Sequence, residues 1–289
     1  MRNLVLIRGG NDIASAVAHR VFSSGYIVVI WEAAQPLTVR RGMAYAAAIY
    51  EGRVTLHGVT AECVPTPELA LDLADARQVI PVLGSEAAGI LPTLHPVVLV
   101  DARLRKKTRS ASQITDAPLV IGLGPGFTAG IEAHLVIETN RGPNLGRVIT
   151  CGEAAPYTGD PVRIVGHGKD RYLYAPRGGV FRTALDLGSR VHGGQVVGEV
   201  AGEPLVAKIG GAVRGIVRDG LLVPSGAKLV DIDPRDPPAS LSELSPKAWS
   251  IADAVLTAIR TAGRVRTGGV LAMPNGTTAS SSSKARSPA

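Results

Sequence analysis

Aromatic residues are scarce in this chain: Phe, Trp and Tyr make up 4% of 289 residues, while 45% are hydrophobic. The core must therefore be built from Val, Leu, Ile and Ala, and platforms for stacking nucleic-acid bases are few. Cysteine is nearly absent. Cys63 and Cys151 lie far apart without CxxC spacing, which excludes a disulfide framework. They read either as reduced thiols of a cytoplasmic protein or as small buried hydrophobes. No apolar run approaches the ~20 residues that span a bilayer, and the one in MRNLVLIRGG is too short for a signal peptide. A cytoplasmic location with no membrane partner is the expectation. The six histidines show no paired ligand spacing, so no metal site is expected. GxSxG, a Cys/His pair and a P-loop GK[ST] are all missing, so no nucleophilic or phosphoryl-transfer mechanism is specified.

Charge is modestly positive, at a formal net of +7. Arg264, Arg266, Lys284 and Arg286 sit in a Ser/Thr/Gly-rich tail, and without them the balance is +3. A tail of this composition buries too little apolar surface to offset chain entropy and reads as disordered. The basic run Arg103-Leu104-Arg105-Lys106-Lys107 follows a strand. Without interleaved aromatics it does not suggest nucleic acid. It reads as a solvated loop, or as a loop with one lysine on an anionic ligand.

What is present is a set of glycine turns placed after strands. The stretch from Ser112 to Cys151 holds a buried-type strand (118–123), the glycines Gly122, Gly124, Gly126 and Gly130, and a second strand, Leu135–Ile137. That strand leads into Glu138, Asn140 and Arg141. Such glycines let the backbone turn with positive φ and bring N–H groups close to a ligand; equally, they could serve only to join two core strands. The N-terminal segment repeats the layout: strand Leu4–Ile7, a turn with Gly9, Gly10, Asn11 and Asp12, a helix from Ile13, and a second strand closed by Glu32. This is the dinucleotide-fold order, with pyrophosphate at the helix N-terminus and the acid on ribose. Asn11 stands where the second fingerprint glycine belongs, and Asp12 puts negative charge at the mouth. Arg40 and Arg41 could meet a phosphate or carboxylate, or serve on the surface. Further alternation of strands and helices, up to a strand ending in Asp101, argues for a mainly parallel, doubly wound sheet. Ligands of such sheets collect beyond strand C-termini. The candidate binding residues are therefore Gly9, Gly10, Asp12, Glu32, Asp101, Gly122, Gly124, Gly126, Glu138, Asn140 and Arg141. No catalytic residue is assigned, although Asp12, Asp101 and Glu138 could do acid–base work if they converge.

The runs DAPLVIGLGPGFTAG and VIETNRGPNLGRVI resemble the YqeB family. So do RGGNDIASAVAHRVFSSGY, Glu32–Pro36, VDARLRKK, YAPRGGVF and VDIDPR, in the same order up to about residue 262. The resemblance implies an accessory protein for maturation or cofactor insertion of a selenium-dependent molybdenum hydroxylase of the xanthine dehydrogenase type. That apoprotein, or its other accessory proteins, would be the partner. The ligand stays open between a nucleotide and the molybdenum cofactor. An NAD(P)-dependent oxidoreductase and a non-catalytic scaffold are the alternatives, and whether the chain is an enzyme is left open.

From Tyr174 onward the chain repeats itself. Ala175–Arg182 matches Ala207–Arg214 at an offset of 32, which also pairs Gly188 with Gly220, Val191 with Val223 and Gly194 with Gly226. Two such interlocking halves resemble the barrel-sandwich hybrid of biotinyl and lipoyl domains. The junction Val200–Leu205 carries no lysine, so neither biotin nor lipoyl attachment is expected, and the module reads as a docking domain. The expected fold is thus an α/β Rossmann-like domain with a mainly parallel sheet (1–165), an all-β barrel-sandwich hybrid module (166–235), a C-terminal helix (236–263) and a disordered tail (264–289).

Overall fold

The computed structural model describes residues 3–84, 89–105 and 112–267, the last four of these as backbone only. Lys106, Lys107 and most of the tail expected to be disordered lie outside the described residues. In chain order the first lobe holds β1 (Leu4–Arg8), α1 (Asp12–Ser23), β2 (Ile27–Glu32), α2 (Ala48–Glu51), β3 (Arg53–Leu56) and β4 (Val59–Val64). Then come α3 (Pro67–Ala76), β5 (Ile80–Gly84), α4 (Ile90–Leu94), β6 (Val98–Asp101), β7 (Leu119–Leu123), β8 (Thr128–Ala129), β9 (Leu135–Ile137), β10 (Val148–Ile149) and β11 (Gly152–Glu153). The second half holds β12 (Tyr172–Tyr174), β13 (Gly179–Arg182), β14 (Arg190–Val191), β15 (Val196–Val200), β16 (Glu203–Val206), β17 (Gly211–Ile216), β18 (Leu222–Val223), β19 (Lys228–Asp233) and finally α5 (Pro246–Thr267).

The central strands are near-continuous Val, Leu and Ile runs because both of their faces are covered. In β1, Val5 and Ile7 pack against α1 and α5, whose stripes include Val17 and Val21, and Ile251 and Val255. Leu4 and Leu6 face the other way, towards Ala70 and Ala74 of α3 and Ile90 and Leu94 of α4. Helix α1 starts where it does because the Asn11 side chain accepts hydrogen bonds from the Ile13 and Ala14 N–H groups at 3.0 and 3.1 Å, an N-cap. Thr66 caps α3 in the same way, with Pro67 in the first turn.

The Rossmann-like sheet followed by a barrel-sandwich hybrid module does not describe this arrangement and is corrected. The large sheet has nine strands in the order β10-β9-β7-β6-β1-β2-β5-β4-β3. It is mixed, with antiparallel pairs β3–β4 and β9–β10 at its two edges. A hairpin through His57 and Gly58, both at positive φ, reverses the chain at one edge. Beside it stand a two-stranded sheet, β11-β8, and two separate four-stranded antiparallel sheets, β12-β19-β17-β14 and β16-β15-β13-β18. The 32-residue repeat is visible as equivalent strands, but each small sheet takes strands from both copies: β13 pairs with β18, and β14 with β17. Gly188 and Gly220 turn at φ +84° and +81°, and Gly194 and Gly226 at +85° and +75°, so each copy reverses at the same places.

The second half is not a detached unit. Val39 bonds to β17 through Ile216 N–H, and a Cβ on Gly215 would lie 2.9 Å from Val39. The Arg41 side chain donates to the Ile216 carbonyl and pairs with Asp186. Segment 37–41, between β2 and α2, is therefore laid across the small sheets and ties them to the large one.

Gly122, read as a ligand-facing glycine, is instead a packing position, because the Phe127 ring lies directly over its Cα. Gly122→Ala is expected to overpack this site and cost about 1–3 kcal/mol. Urea unfolding would read this as a lower midpoint with an unchanged slope.

Candidate functional site

A cleft of about 1110 Å³ opens where the C-terminal ends of the parallel strands meet the small sheets. From the large sheet it is lined by Asp12, Glu32, Arg103, Glu138, Asn140 and Arg141, and from segment 37–41 by Arg40. The second half contributes Arg171, Tyr172, Tyr174, Arg214 and Lys228.

Two carboxylates on the sheet side, Glu32 and Glu138, are committed to the backbone. Glu32 accepts from Gly10 N–H at 2.6 Å and Ala33 N–H at 2.7 Å; burial nevertheless pushes its carboxyl above the usual range. Glu138 accepts from the N–H groups of Asn140 and Ala155, both at 2.7 Å. Asn140 itself clamps the carbonyls of Ala155 and Pro156. These residues shape the wall of the cleft by pinning loops together. Arg141 is exposed at its edge.

On the opposite wall one carboxylate serves several cations. Asp231, fully buried on β19, accepts from Arg171 at 2.8 Å and from Arg40 at 3.0 and 3.1 Å, with Lys228 Nζ at 3.7 Å. Arg40 also reaches Asp12 at 3.3 Å. Lys228 Nζ lies 3.3 Å from the centroid of the Tyr172 ring, a cation–π contact. Burial, with Arg40 and Arg171 close by, brings the Lys228 ammonium down to about 7 despite Asp231. Arg214 sits at the β-bulge between Val213 and Gly215, where the strand re-aims a side chain. It makes no ion pair among the described residues, and its Nε is buried without a hydrogen-bond partner. Burial and then Arg40 lower its pKa.

Of the residues singled out from sequence, Asp12, Glu32, Glu138, Asn140 and Arg141 line the cleft together. The other six do not line it. The Gly9–Gly10 turn is filled by the chain itself: Ala46 N–H bonds to the Gly10 carbonyl at 2.9 Å, and a Cβ on Gly10 would lie 2.9 Å from the Ala46 nitrogen. With Asn11 occupying the first helical N–H groups and Glu32 holding Gly10, the turn offers no pyrophosphate seat. Asp101 is buried and grips Arg103 in a two-pronged ion pair at 2.5 and 3.0 Å, with Ser112 donating to it at 2.7 Å. It positions Arg103 rather than meeting a ligand. Gly124 and Gly126 turn at φ +76° and +101°. A Cβ on Gly124 would press on Thr139 Oγ1, so Gly124→Val is a stability variant and not a clean probe of binding.

Sequence reading missed Arg171, Arg214 and Lys228. Comparing the two repeat copies held a signal. Lys228 stands where the first copy has Val196, and Arg214 matches Arg182. Yet Arg182 pairs with Asp219 while Arg214 has no such partner. Among the described residues no group of three His, Cys, Asp or Glu could hold a metal ion, and no helix is long and apolar enough to cross a membrane.

Two outcomes are expected. Asp231→Leu leaves Arg171 and Arg40 without their shared carboxylate and should cost about 3–5 kcal/mol in denaturant unfolding. Lys228→Met should stabilise the fold, because the folded state disfavours the charged amine that the unfolded chain keeps up to pH 10.5. Sign fixes the window: the gain is full below pH 7 and shrinks as pH rises towards 10.5. Melting of wild type and variant at pH 6 and pH 9 checks this (pH values about one unit below and two above the folded value).

No protein-family model matches the chain. Over 256 residues it is 41% identical to the uncharacterized protein YqeB of Escherichia coli (strain K12), which covers 89% of this chain and 47% of that protein. The chain thus spans about half the length of the curated relative it matches. Solved structures with some likeness include the ectoine utilization protein EutE (DoeB) from Ruegeria pomeroyi, 13% identical over 80% of this chain and 85% of that one, with a TM-score of 0.25. An aspartoacylase family protein from Mesorhizobium loti is 12% identical over 80% and 85%, also at 0.25. Scores this low transfer neither fold nor activity. By sequence, the chain is similar to about half of YqeB over most of its own length.

Proposed function

We propose that the cleft binds an anionic, phosphate-bearing ligand, and that the chain is an accessory protein in maturation or cofactor insertion of a molybdenum hydroxylase of the xanthine dehydrogenase type. The observation that carries the ligand half is the charge imbalance of the cleft. Its carboxylates are spent on backbone N–H groups or shared among several cations, while Arg214 is unpaired. An electropositive, partly desolvated cleft attracts and holds anions. The maturation half rests on the resemblance to YqeB; a nucleotide or the molybdenum cofactor would supply the anion, and selenium need not be involved. NAD(P)-dependent oxidoreduction is disfavoured, because the glycine turn that would seat pyrophosphate is occupied by Ala46.

Thermal unfolding against NAD, NADP, ATP, CTP, molybdate and extracted molybdenum cofactor tests the ligand half. A ligand at a hundredfold its Kd adds about 2.7 kcal/mol to the folded state, an easily seen midpoint shift. A shift with a phosphate-bearing member is expected. No shift with any would leave the scaffold reading in its place. Reconstitution of hydroxylase activity from apoprotein, with and without the chain, tests the maturation half; equal activity in both would sink it.

A further inference from the structure

Resting on the anionic-ligand reading, we infer that Arg214 and Lys228 form a phosphate subsite, so that the small antiparallel sheets, and not the glycine turns, recognise the ligand's phosphomonoester or pyrophosphate end. Four cations, Arg40, Arg171, Arg214 and Lys228, line this wall of the cleft, and the carboxylates they share are Asp231 and Asp12. Asp233, the other buried acid of β19, is held by Arg235 and by Ala239 N–H. With Lys228 protonated, the surplus is two positive charges. A phosphomonoester carries about −1.5 to −2 at pH 7 and balances it, whereas a single carboxylate would not.

Geometry agrees with the charge count. Arg40 and Arg171 are engaged by Asp231 through their guanidinium donors, so they frame the site. Arg214 and Lys228 are the members with donors to spare. The bulge in β17 and the first position of β19 place both of them on the cleft. An Arg fork and an ammonium lining the same cleft suit phosphate oxygens. Burial lowers the pKa of both residues, and Arg40, a like charge within reach, adds to it. A bound phosphate would reverse that pressure, and Lys228 would take up a proton on binding above pH 7. The groups that set this proton uptake are Asp231, Arg40 and Arg171, with Asp12 beyond them and the Tyr172 hydroxyl alongside.

Calorimetric titration of the full chain with inorganic pyrophosphate and with adenosine 5′-monophosphate, against adenosine and acetate, tests the assignment. Pyrophosphate and the monophosphate should bind, and adenosine and acetate should not. Arg214→Gln and Lys228→Met should each weaken Kd about tenfold to a hundredfold, the range for a lost hydrogen bond to a charged group. Arg182→Gln, the repeat counterpart on the far sheet, should change nothing. Neither cleft variant breaks a short ion pair, so both should remain folded, which their melting temperatures check. Arg214→Lys, which keeps charge but loses the fork, should fall between wild type and Arg214→Gln. Pyrophosphate binding by wild type that survives Arg214→Gln and Lys228→Met overturns the subsite and leaves the anionic-ligand reading standing. If no phosphate compound binds wild type, both fall. Titration at about pH 8 in two buffers of different ionisation enthalpy should show proton uptake for wild type and none for Lys228→Met.

Discussion

One buried carboxylate holds the cleft together. Asp231 has no exposed surface, and it draws Arg171 from the start of β12, Arg40 from the crossing segment and Lys228 from its own strand onto two oxygen atoms. Removing such a charge from water is costly, and only close, multiple donors offset it. Arg40 has to reach across from the loop that follows β2, so the same interaction sets how the large sheet faces the small ones. It also leaves the wall electropositive, because two oxygens cannot neutralise three cations. Burial, with Arg40 and Arg171 close by, lowers the pKa of Lys228, and the Nε of Arg214 is buried without a partner.

Glycines play a different part in this molecule from the one their positions suggest. Gly10 lets segment 44–48 close over the first turn, Gly122 makes room for Phe127, and Gly215 lets Val39 lie against β17. Each is a place where two pieces of backbone or a ring come close. Glu32 and Glu138 likewise stand at strand ends in the manner of ligand-binding acids, but they brace loops through backbone N–H groups. Closing the first turn with its own chain moves the open, charged space of the fold to the opposite wall. The proposed ligand function lies there.

The internal repeat sharpens this picture. Duplicated strands keep the turns in register, as the matched positive-φ glycines show, so the copies differ where structure does not demand identity. Val196 faces solvent in the first copy, and its counterpart Lys228 is folded over Tyr172 in the second. Arg182 has an acidic neighbour in Asp219 and Arg214 has none. The electropositive wall is built from these departures.

By itself the sequence determined much that is local. Apolar runs marked the central strands, glycine turns marked the reversals after them, and the offset of 32 exposed the repeat. These are legible because side-chain periodicity and turn glycines act between neighbouring residues. Five of the eleven residues singled out, Asp12, Glu32, Glu138, Asn140 and Arg141, do line the cleft, since strand ends gather there. Tertiary structure alone decided the rest. Antiparallel edges made the large sheet mixed, and strand exchange between repeat copies produced two separate four-stranded sheets in place of the expected module. It also decided that Arg171 and Lys228 would share Asp231 with Arg40, which is 191 residues away from it in sequence. Charge balance in a desolvated cleft is a sum over groups distant along the chain, and no local pattern encodes it.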